Sequence, residues 1–542
     1  MRKGILLGGV LLLSAVIMIR GISRGEFDYN VDESQHAATG LYVASVIKDH
    51  PRHPVAYTSL YYAQYPALSG IIHWPPLFYL CEGAMFLVAG PTVVAARLAI
   101  LPFALLACVF WFLLMAELVN EWAAACSTLL LALLPAVLLF EKAVMLEIPC
   151  LAVCIAALYF WYRYLTAERP RDLYFFAIAL SVAMLVKQNS IFVPMACLVS
   201  IVALRKWSLV FSRRVLGPLA IAVVLVAPFY ALQYFVHWKS VAVDLAGQGQ
   251  GVSTQAGLWH SLLFYARALA DQLGWPLLVL AVVGAATFHR WTRREGGVFM
   301  LAWIAGGYLT FTLISRKEPR HALYLIPPLM FFIAGPLLAT WKLRSTRVLA
   351  TGLAVVLVLH SVVVGWNYQR PYIDGYASLA GAVQELNRPG VIMFEAPLPA
   401  NFIFFLRRAD HERKFVVLRK SLRVTRIIWT SGVEYLATTV DQVRNVVDTS
   451  GVKYVVVSDE PPRFEGERSL RALLQTEPRF KLLGTFSITG NEPEWRGEHL
   501  YLYENTQSVA PSGGSLRIRM LTMGNDVVVP WDELGVTAKP TP

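Results

Sequence analysis

Charged residues are scarce in this sequence. Only 15% of its 542 residues are Asp, Glu, Lys or Arg, whereas soluble domains carry about 25%. Hydrophobic residues make up 56%, and the mean hydropathy is +0.52. This composition excludes an ordinary soluble chain and predicts an integral membrane protein.

Cysteine patterns are also missing. The six cysteines lie in or beside apolar segments, without a CxxC or another metal-ligand spacing, so no disulfide framework is implied. The net charge of +12 comes from short basic clusters between apolar runs. Such clusters orient a membrane protein, and we therefore exclude nucleic acid as a partner.

Apolar segments of membrane-spanning length fill residues 4–365. Residues 1–22 begin like a secretory signal, but they lack an AxA-like cleavage site and are predicted to remain as the first helix. Ten further spans bring the prediction to about eleven: 97–117, 123–140, 147–166, 172–186, 190–204, 215–236, 261–285, 298–314, 321–340 and 347–365.

Three basic links give the orientation. With the amino terminus inside, residues 205–214, 289–295 and 341–347 all lie inside, as the positive-inside rule requires. The apolar stretch 77–90 reaches only about 21 Å as a helix, against a hydrocarbon core of about 30 Å. We therefore predict a re-entrant or juxtamembrane helix within a long external loop, residues 23–96.

The remainder of the chain, residues 366–542, contains no such apolar run. It mixes helix-like stretches with strand-like ones at 390–396, 414–419 and 452–458. The predicted fold is thus a polytopic α-helical membrane protein, residues 1–365, followed by a soluble α/β domain, residues 366–542, on the outer face.

Two adjacent carboxylates, Asp32 and Glu33, follow the first apolar segment. Asn30 and Glu33 have the spacing of a capping box, which accounts for Glu33 without any function. Asp32 is not needed for that cap. It is predicted to be a base near the membrane surface, with His36 one turn later on the same helix face.

Two further candidates, His73 and Glu147, each lie two residues before a proline. His73, in "HWPP", is a candidate ligand or acceptor-site residue, and the alternative is an exposed polar residue at a proline turn. Glu147, in "LEIP", is a second candidate acid. Its alternative role is that of an acid placed in the first turn of a helix, where it favours the helix dipole.

Basic residues occur on the predicted outer face, where positive charge is least expected. Lys187 interrupts two apolar runs, and "SRKEPRH" places further basic side chains together: Arg316, Lys317, Arg320 and His321. Such a cluster favours an anion, such as a lipid-linked phosphate at the bilayer surface. Ordinary binding of lipid headgroups is the alternative.

The order of these motifs resembles that of a known family. "DE" in the first external loop, "PPLFY", "LEIP", "VKQ" and "RKEPRHALYLIPP" are similar to the type C membrane glycosyltransferases. The resemblance covers residues 1 to about 365. It is to the branch that contains the protein O-mannosyltransferases and the lipid A aminoarabinose transferases.

The resemblance implies transfer of a hexose or pentose from a polyprenyl-phosphate carrier to a glycan, lipid or protein acceptor. This reaction would occur on the periplasmic or extracytoplasmic side of the inner (plasma) membrane. Asp32 matches the catalytic aspartate and Glu33 its acidic neighbour, while Glu147 matches the second acidic motif. Lys187, Arg316 and Arg320 match positions that face the carrier phosphate.

A divalent metal ion stays open as a cofactor. His73 stands where aminoarabinose transferases have a glutamate that binds a metal, and it is closer to the mannosyltransferase pattern of histidine before prolines. No DxD motif typical of a nucleotide-sugar site is evident, which agrees with a lipid-phosphate donor.

Two other classes of function are alternatives. A transporter or lipid flippase should have internal repeats and ionisable groups near the bilayer midplane, and the sequence has no such symmetry. A non-catalytic scaffold would use the membrane part only as an anchor, for which eleven spans are excessive.

Overall fold

A computed structural model describes most of the chain. The residues outside the description are 1, 28–30, 69–73, 252–257, 315–316, 340–343, 420, 426–432, 512, 521–525 and 537–542. The side chains of residues 31, 236–251, 258, 336–339, 344–347, 349–350 and 425 are likewise outside it.

Helices dominate as far as residue 367. In chain order they are α1 Arg2–Ile19, α2 Val31–Asp49, α3 Pro54–Gln64, α4 Leu77–Ala89, α5 Val93–Leu98, α6 Leu101–Leu118, α7 Glu121–Ala132, α8 Pro135–Glu141, α9 Glu147–Ala167, α10 Pro170–Val186, α11 Phe192–Leu204, α12 Leu216–Gly251, α13 Leu258–Leu273, α14 Trp275–Thr287, α15 Arg294–Leu313, α16 Ile326–Ala339 and α17 Arg344–Asn367. Short 3-10 helices include Gln188–Ile191 and Pro319–Leu325.

Several of these helices can cross a membrane. Within the described residues, five are long and apolar enough, or up to seven if each of two bent helix pairs is one span. The polytopic helical class is thereby confirmed. The count of about eleven stays a prediction, because helices such as Gln188–Leu204 are apolar but shorter than a full span.

Two predicted spans are not straight helices. Residues 123–140 form α7 and α8 with a bend of 68°, and residues 261–285 fall on α13 and α14 with a bend of 114°. The second break lies at Gly274, whose φ of 77° favours glycine, and Pro276 lies in the first turn of α14. The Gln272 side chain then donates to the carbonyl of Pro319 at 2.7 Å, which anchors α13 to the 3-10 helix.

The stretch 77–90 forms a short helix. Helix α4 has 13 residues, about 20 Å at ~1.5 Å per residue, which is shorter than the hydrocarbon core of about 30 Å. It packs along α2, where Gly40 leaves room for the buried side chain of Glu82. A Cβ at Gly40 would lie 2.2 Å from a carboxylate oxygen of Glu82.

The carboxyl-terminal part contains the strands. Its elements are β1 Ile373–Asp374, α18 Tyr376–Glu385, β2 Gly390–Glu395, α19 Pro399–Ala409, β3 Phe415–Leu418, β4 Arg423–Thr425, β5 Val433–Tyr435, α20 Val440–Thr449, β6 Val452–Ser458, α21 Glu465–Thr476, β7 Phe480–Ser487, β8 Thr489–Gly490, β9 His499–Asn505, β10 Ser515–Ile518 and β11 Val527–Pro530. Strands β2, β3 and β6 confirm the three strand-like stretches that the sequence indicates.

Five strands form a mixed sheet in the order β3-β2-β6-β9-β7. Strand β2 is parallel to β3 and β6, whereas β9 is antiparallel to β6 and β7. Strands β2, β3 and β6 are almost fully buried, as expected of parallel strands covered by helices.

The α/β part packs onto the loop between α1 and α4. The Glu26 carboxylate accepts hydrogen bonds from the backbone N–H groups of Gly375, Tyr376 and Ala377, at 3.1, 3.0 and 2.9 Å, and so caps α18. The Tyr65 hydroxyl donates to Asp410 at 2.5 Å. These contacts hold the α/β part against the amino-terminal side of α2.

The predicted orientation can be tested with two exposed arginines. In a Cys81→Ser background, which removes the one exposed cysteine among the six, we expect a membrane-impermeant maleimide to label Arg52→Cys in intact cells but not Arg293→Cys. Both arginines are exposed, so protection reports the side of the membrane and not burial. Labelling of Arg293→Cys before permeabilisation would reverse the predicted orientation.

Candidate active site

Side chains from separate segments of the chain form ion pairs at the amino-terminal end of α2. Arg320 Nη1 lies 2.8 Å from Asp32 Oδ2, and Arg320 Nε lies 3.4 Å from Glu147 Oε1. Lys187 Nζ lies 2.5 Å from the same oxygen of Glu147, and Glu318 also pairs with Arg320. We call these five residues the Asp32 cluster.

Each member of the Asp32 cluster lies where a helix begins or ends. Asp32 is in the first turn of α2, and Glu147 is the first residue of α9, where Pro149 is tolerated. Lys187 follows the last residue of α10 with extended backbone, and Arg320 belongs to the 3-10 helix. Helix ends therefore bring distant parts of the chain together here.

Exposure distinguishes the two acids on which the sequence analysis relied. The Asp32 side chain is 37% exposed, whereas those of Glu147 and Lys187 are only 1% and 3% exposed. A buried Lys–Glu pair holds helices in place, while a carboxylate reached by solvent can accept a proton from a bound molecule. Asp32 is thus the most exposed acid of the cluster, ahead of Glu318, whose side chain is 19% exposed.

The surroundings of Asp32 keep it ionised. Burial raises the pKa of its carboxyl, but the nearby His36 and Arg320 outweigh burial and hold that pKa below its usual value. Burial lowers the pKa of His36 itself to about 4, so this imidazole is neutral near pH 7. Arg320 is then the charge that acts on Asp32.

Aromatic side chains lie next to the Asp32 cluster. His36 Nδ1 and the Tyr79 hydroxyl are hydrogen-bonded at 2.7 Å. The Lys187 ammonium lies 5.3 Å from the centre of the Trp74 ring, within the range of a cation–π contact. Both aromatic residues come from the "HWPPLFYL" stretch, so this motif contributes to the site through Trp74 and Tyr79.

His321 lies beside the Asp32 cluster, directly after Arg320. Its Nδ1 is 3.2 Å from the Tyr265 hydroxyl of α13, and its ring stacks on Phe311 of α15 with centroids 5.4 Å apart. These contacts hold the imidazole against α13 and α15, and its role in phosphate binding stays a prediction.

Lys317 points elsewhere. Its ammonium donates to the backbone carbonyls of Thr312 and Ile314, at 3.2 and 3.0 Å, where it satisfies the carboxyl end of α15. The sequence placed Lys317 with the phosphate-binding residues; its ammonium caps a helix end here, and a role in phosphate binding stays a prediction. Arg316 and His73 lie outside the described residues, as does Asn30, the predicted capping partner of Glu33.

Glu33 faces away from Asp32 into a buried cluster. Its Oε1 lies 3.4 Å from Arg97 Nε and accepts the backbone N–H of Val144 at 3.2 Å, and its Oε2 lies 3.2 Å from Arg370 Nη1. The side chains of Glu33, Arg97 and Arg370 are at most 5% exposed. These contacts indicate a structural role for Glu33, and the catalytic role predicted for it stays a prediction.

Sequence reasoning missed both arginine partners. Arg97 and Arg370 also donate to the backbone carbonyl of Glu26, and Arg97 donates to that of Ile22 at 2.7 Å. The signal for Arg97 was present, because a charged residue inside the apolar run "VVAARLAI" must find a partner. Arg370 lies near the predicted domain boundary and had no such signal.

No group of three or more His, Cys, Asp or Glu side chains able to hold a metal ion occurs within the described part of the chain. Because His73 lies outside that part, the question of a metal ion at this histidine stays a prediction.

Comparison with known proteins agrees with this architecture. Residues 73–231 match the family model described as dolichyl-phosphate-mannose-protein mannosyltransferase. None of the curated proteins compared with the chain matches it.

Solved structures match over nearly the whole chain. ArnT from Cupriavidus metallidurans bound to undecaprenyl phosphate has a TM-score of 0.62 at 16% identity, and the match covers 92% of this chain and 97% of that one. AglB from Archaeoglobus fulgidus, in complex with an inhibitory peptide and a dolichol-phosphate, has a TM-score of 0.51 at 13% identity, covering 92% and 74%.

The arabinofuranosyltransferase AftD from Mycobacteria has a TM-score of 0.53 at 13% identity, covering 95% of this chain and 40% of that one. At such identities the matches concern the fold. The protein thus has the fold of the type C membrane glycosyltransferases. The resemblance and the fold class that the sequence predicts are confirmed.

The buried Lys187–Glu147 pair leads to a stability prediction. Glu147→Gln or Lys187→Met alone leaves one buried charge without its partner, and we expect each to lower the free energy of unfolding by about 3–5 kcal/mol. The double variant should be the more stable of the three, because both charges are removed. Thermal unfolding in detergent measures this, and equal losses in all three variants would contradict it.

Glu33→Gln should also destabilise the protein. The substitution leaves Arg97 and Arg370 without a counter-charge, and we expect a loss of about 3–5 kcal/mol. The matched control is Glu412→Gln, since Glu412 is 73% exposed in its pair with Lys414 and should contribute less than about 1 kcal/mol. A Glu33→Gln variant as stable as the control would contradict a structural role for Glu33.

Proposed function

We propose that the protein is a glycosyltransferase that moves a sugar from a polyprenyl-phosphate donor to a nucleophile of an acceptor on the outer face of the plasma membrane. The observation that carries this proposal is the pairing of a partly exposed carboxylate, Asp32, with Arg320 beside the buried Lys187–Glu147 pair. The fold relatives and the mannosyltransferase family match over residues 73–231 support the reaction class.

Asp32 acts as the general base in this mechanism. Its carboxylate takes the proton of an acceptor hydroxyl while the hydroxyl oxygen attacks the anomeric carbon of the sugar. The bond between that carbon and the phosphate oxygen breaks, and polyprenyl phosphate leaves with the electron pair. A single displacement of this kind inverts the anomeric configuration, and base assistance typically contributes about 10²–10⁴-fold.

Arg320 and Lys187 stabilise the leaving phosphate. Preorganised cations at a developing phosphate charge lower the barrier, because a buried site spares the reorganisation that water would need. Arg320 is the better placed of the two, since its side chain is 17% exposed and its fork of donors suits a phosphate. Arg316 is proposed to assist from the same segment.

Donor binding also prepares the base. While Arg320 holds Asp32, the lowered pKa of the carboxyl makes it a weak proton acceptor. A donor phosphate attracts the guanidinium and draws it from Asp32, so the basicity of the carboxylate rises when the sugar is in place.

The donor sugar is proposed to be a pentose or a hexose, and the acceptor a glycan, lipid or protein. Incubating the purified protein with a panel of polyprenyl-phosphate sugars, and following each by mass spectrometry, identifies the donor. Consumption of none of them would contradict the proposed reaction.

Asp32→Asn is the sharpest test of the mechanism. Asparagine has the same size and suits the first turn of α2, so melting temperature and donor binding should stay near wild type. We expect transfer to fall by at least about 100-fold, because the base is lost. The matched control, Asp49→Asn at the other end of α2, removes a partly exposed contact to Arg413 at 2.7 Å and should keep normal transfer.

Near-normal transfer by the Asp32→Asn enzyme would contradict the assignment of Asp32 as the base, and Glu147 would be the next candidate.

A further inference from the structure

A cavity lies beside the carboxyl ends of α1, α8 and α17. Its volume is about 490 Å³, including the part open to solvent. Four of its ten lining residues are cationic, namely Arg20, Arg24, Lys142 and Arg370, and none is acidic. We call this cavity the basic pocket. It shares no residue with the Asp32 cluster.

Three of the four cations have no paired carboxylate within the part of the chain that the structure describes. Arg370 is balanced by Glu33 at 3.2 Å. For Arg20, Arg24 and Lys142, the described residues provide no carboxylate within ion-pair distance. Among the described residues, the basic pocket therefore holds three positive charges that have no carboxylate at the distance of an ion pair.

The three cations are close enough to repel one another. Burial lowers the pKa of Lys142, the neighbouring Glu141 raises it, and Arg20 and Arg24 lower it further, with a net shift below the usual value. The Lys142 ammonium donates to the carbonyl of Arg20 at 3.0 Å, which fixes it at the pocket. An anion bound among these side chains would relieve the repulsion.

Aromatic side chains form the rest of the lining. The Arg20 guanidinium lies 3.8 Å from the centre of the Trp366 ring, and Tyr368 and Tyr372 line the pocket as well. Arg20 directly follows α1, an apolar helix of spanning length, and Trp366 belongs to the last turn of the apolar helix α17. Tryptophan and tyrosine at such helix ends lie at the level of the lipid headgroups.

The charge of this pocket is not explained by membrane insertion. In the predicted orientation the ends of α1 and α17 lie outside, where the positive-inside rule gives no reason for basic residues. We propose that the basic pocket binds the phosphate of an anionic lipid headgroup. The proposal is independent of sugar transfer, because it concerns side chains that take no part in the reaction.

Equilibrium binding of a fluorescently labelled phosphatidylglycerol to the full-length protein in neutral detergent tests this. Unlabelled phosphatidylglycerol should compete, whereas phosphatidylcholine should not. Arg24→Gln should weaken binding by about tenfold, the loss of one charge-assisted contact. The backbone carbonyl of Arg24, which accepts from Arg97 and Arg370, both at 3.2 Å, is kept in this variant.

Arg52→Gln is the matched control, because Arg52 is exposed and lies outside the pocket, and its affinity should equal that of wild type. Lys142→Gln is a second variant with the same expectation as Arg24→Gln. Competition by millimolar inorganic phosphate would support the same phosphate site with a free anion as its source.

Equal competition by phosphatidylcholine, or wild-type affinity in both pocket variants, would overturn the proposal. Because the assay contains no sugar donor, either result leaves the proposed transfer reaction untouched. Failure of the reaction would in turn leave the binding result intact.

Discussion

The structure depends on one buried carboxylate with two arginines. Glu33 holds Arg97 of α5 and Arg370 of the segment after α17, and both arginines bind carbonyls of the loop that precedes α2. A side-chain charge buried to this degree is tolerated only when an opposite charge and hydrogen bonds compensate it. Loop, helix and carboxyl-terminal segment are therefore held in one arrangement.

This arrangement sets the direction of Asp32. Adjacent residues in the first turn of a helix project about 100° apart, so when Glu33 is fixed inward, Asp32 is directed toward Arg320 and Glu147. Glu33 is buried in its pairs with two arginines, whereas the side chain of Asp32 stays partly exposed. The two carboxylates of the "DE" motif thus have different partners and different exposure although they are neighbours in sequence.

Much of this architecture was accessible from the sequence. Apolar run length and the positions of basic links predicted the helical membrane part, and the strand-like stretches predicted β2, β3 and β6. The motif order predicted that Asp32, Glu147, Lys187 and Arg320 belong together, because each precedes or follows an apolar run. The bends at 133–134 and at Gly274 escaped prediction, since hydropathy averages over a break of one or two residues.

Partner choice within the site was not accessible in the same way. Lys317, Arg320 and His321 are close in sequence, yet their contacts differ. Lys317 donates to carbonyls at the end of α15, Arg320 forms ion pairs with carboxylates, and the ring of His321 stacks on Phe311. Composition indicates that a segment is basic, but not which of its charges is already neutralised. Only the packing of α13 and α15 around the 3-10 helix separates these roles.

The position of Arg370 bears on how far the two halves of the chain are modular. The last helix ends at Asn367, and a boundary drawn there would assign Arg370 to the soluble part. Cutting the chain at that point would remove a counter-ion of Glu33 together with the helix that Glu26 caps. Any exchange of the α/β domain between relatives must therefore retain residues 370–385 with the membrane half, because this segment contains Arg370 and the whole of α18.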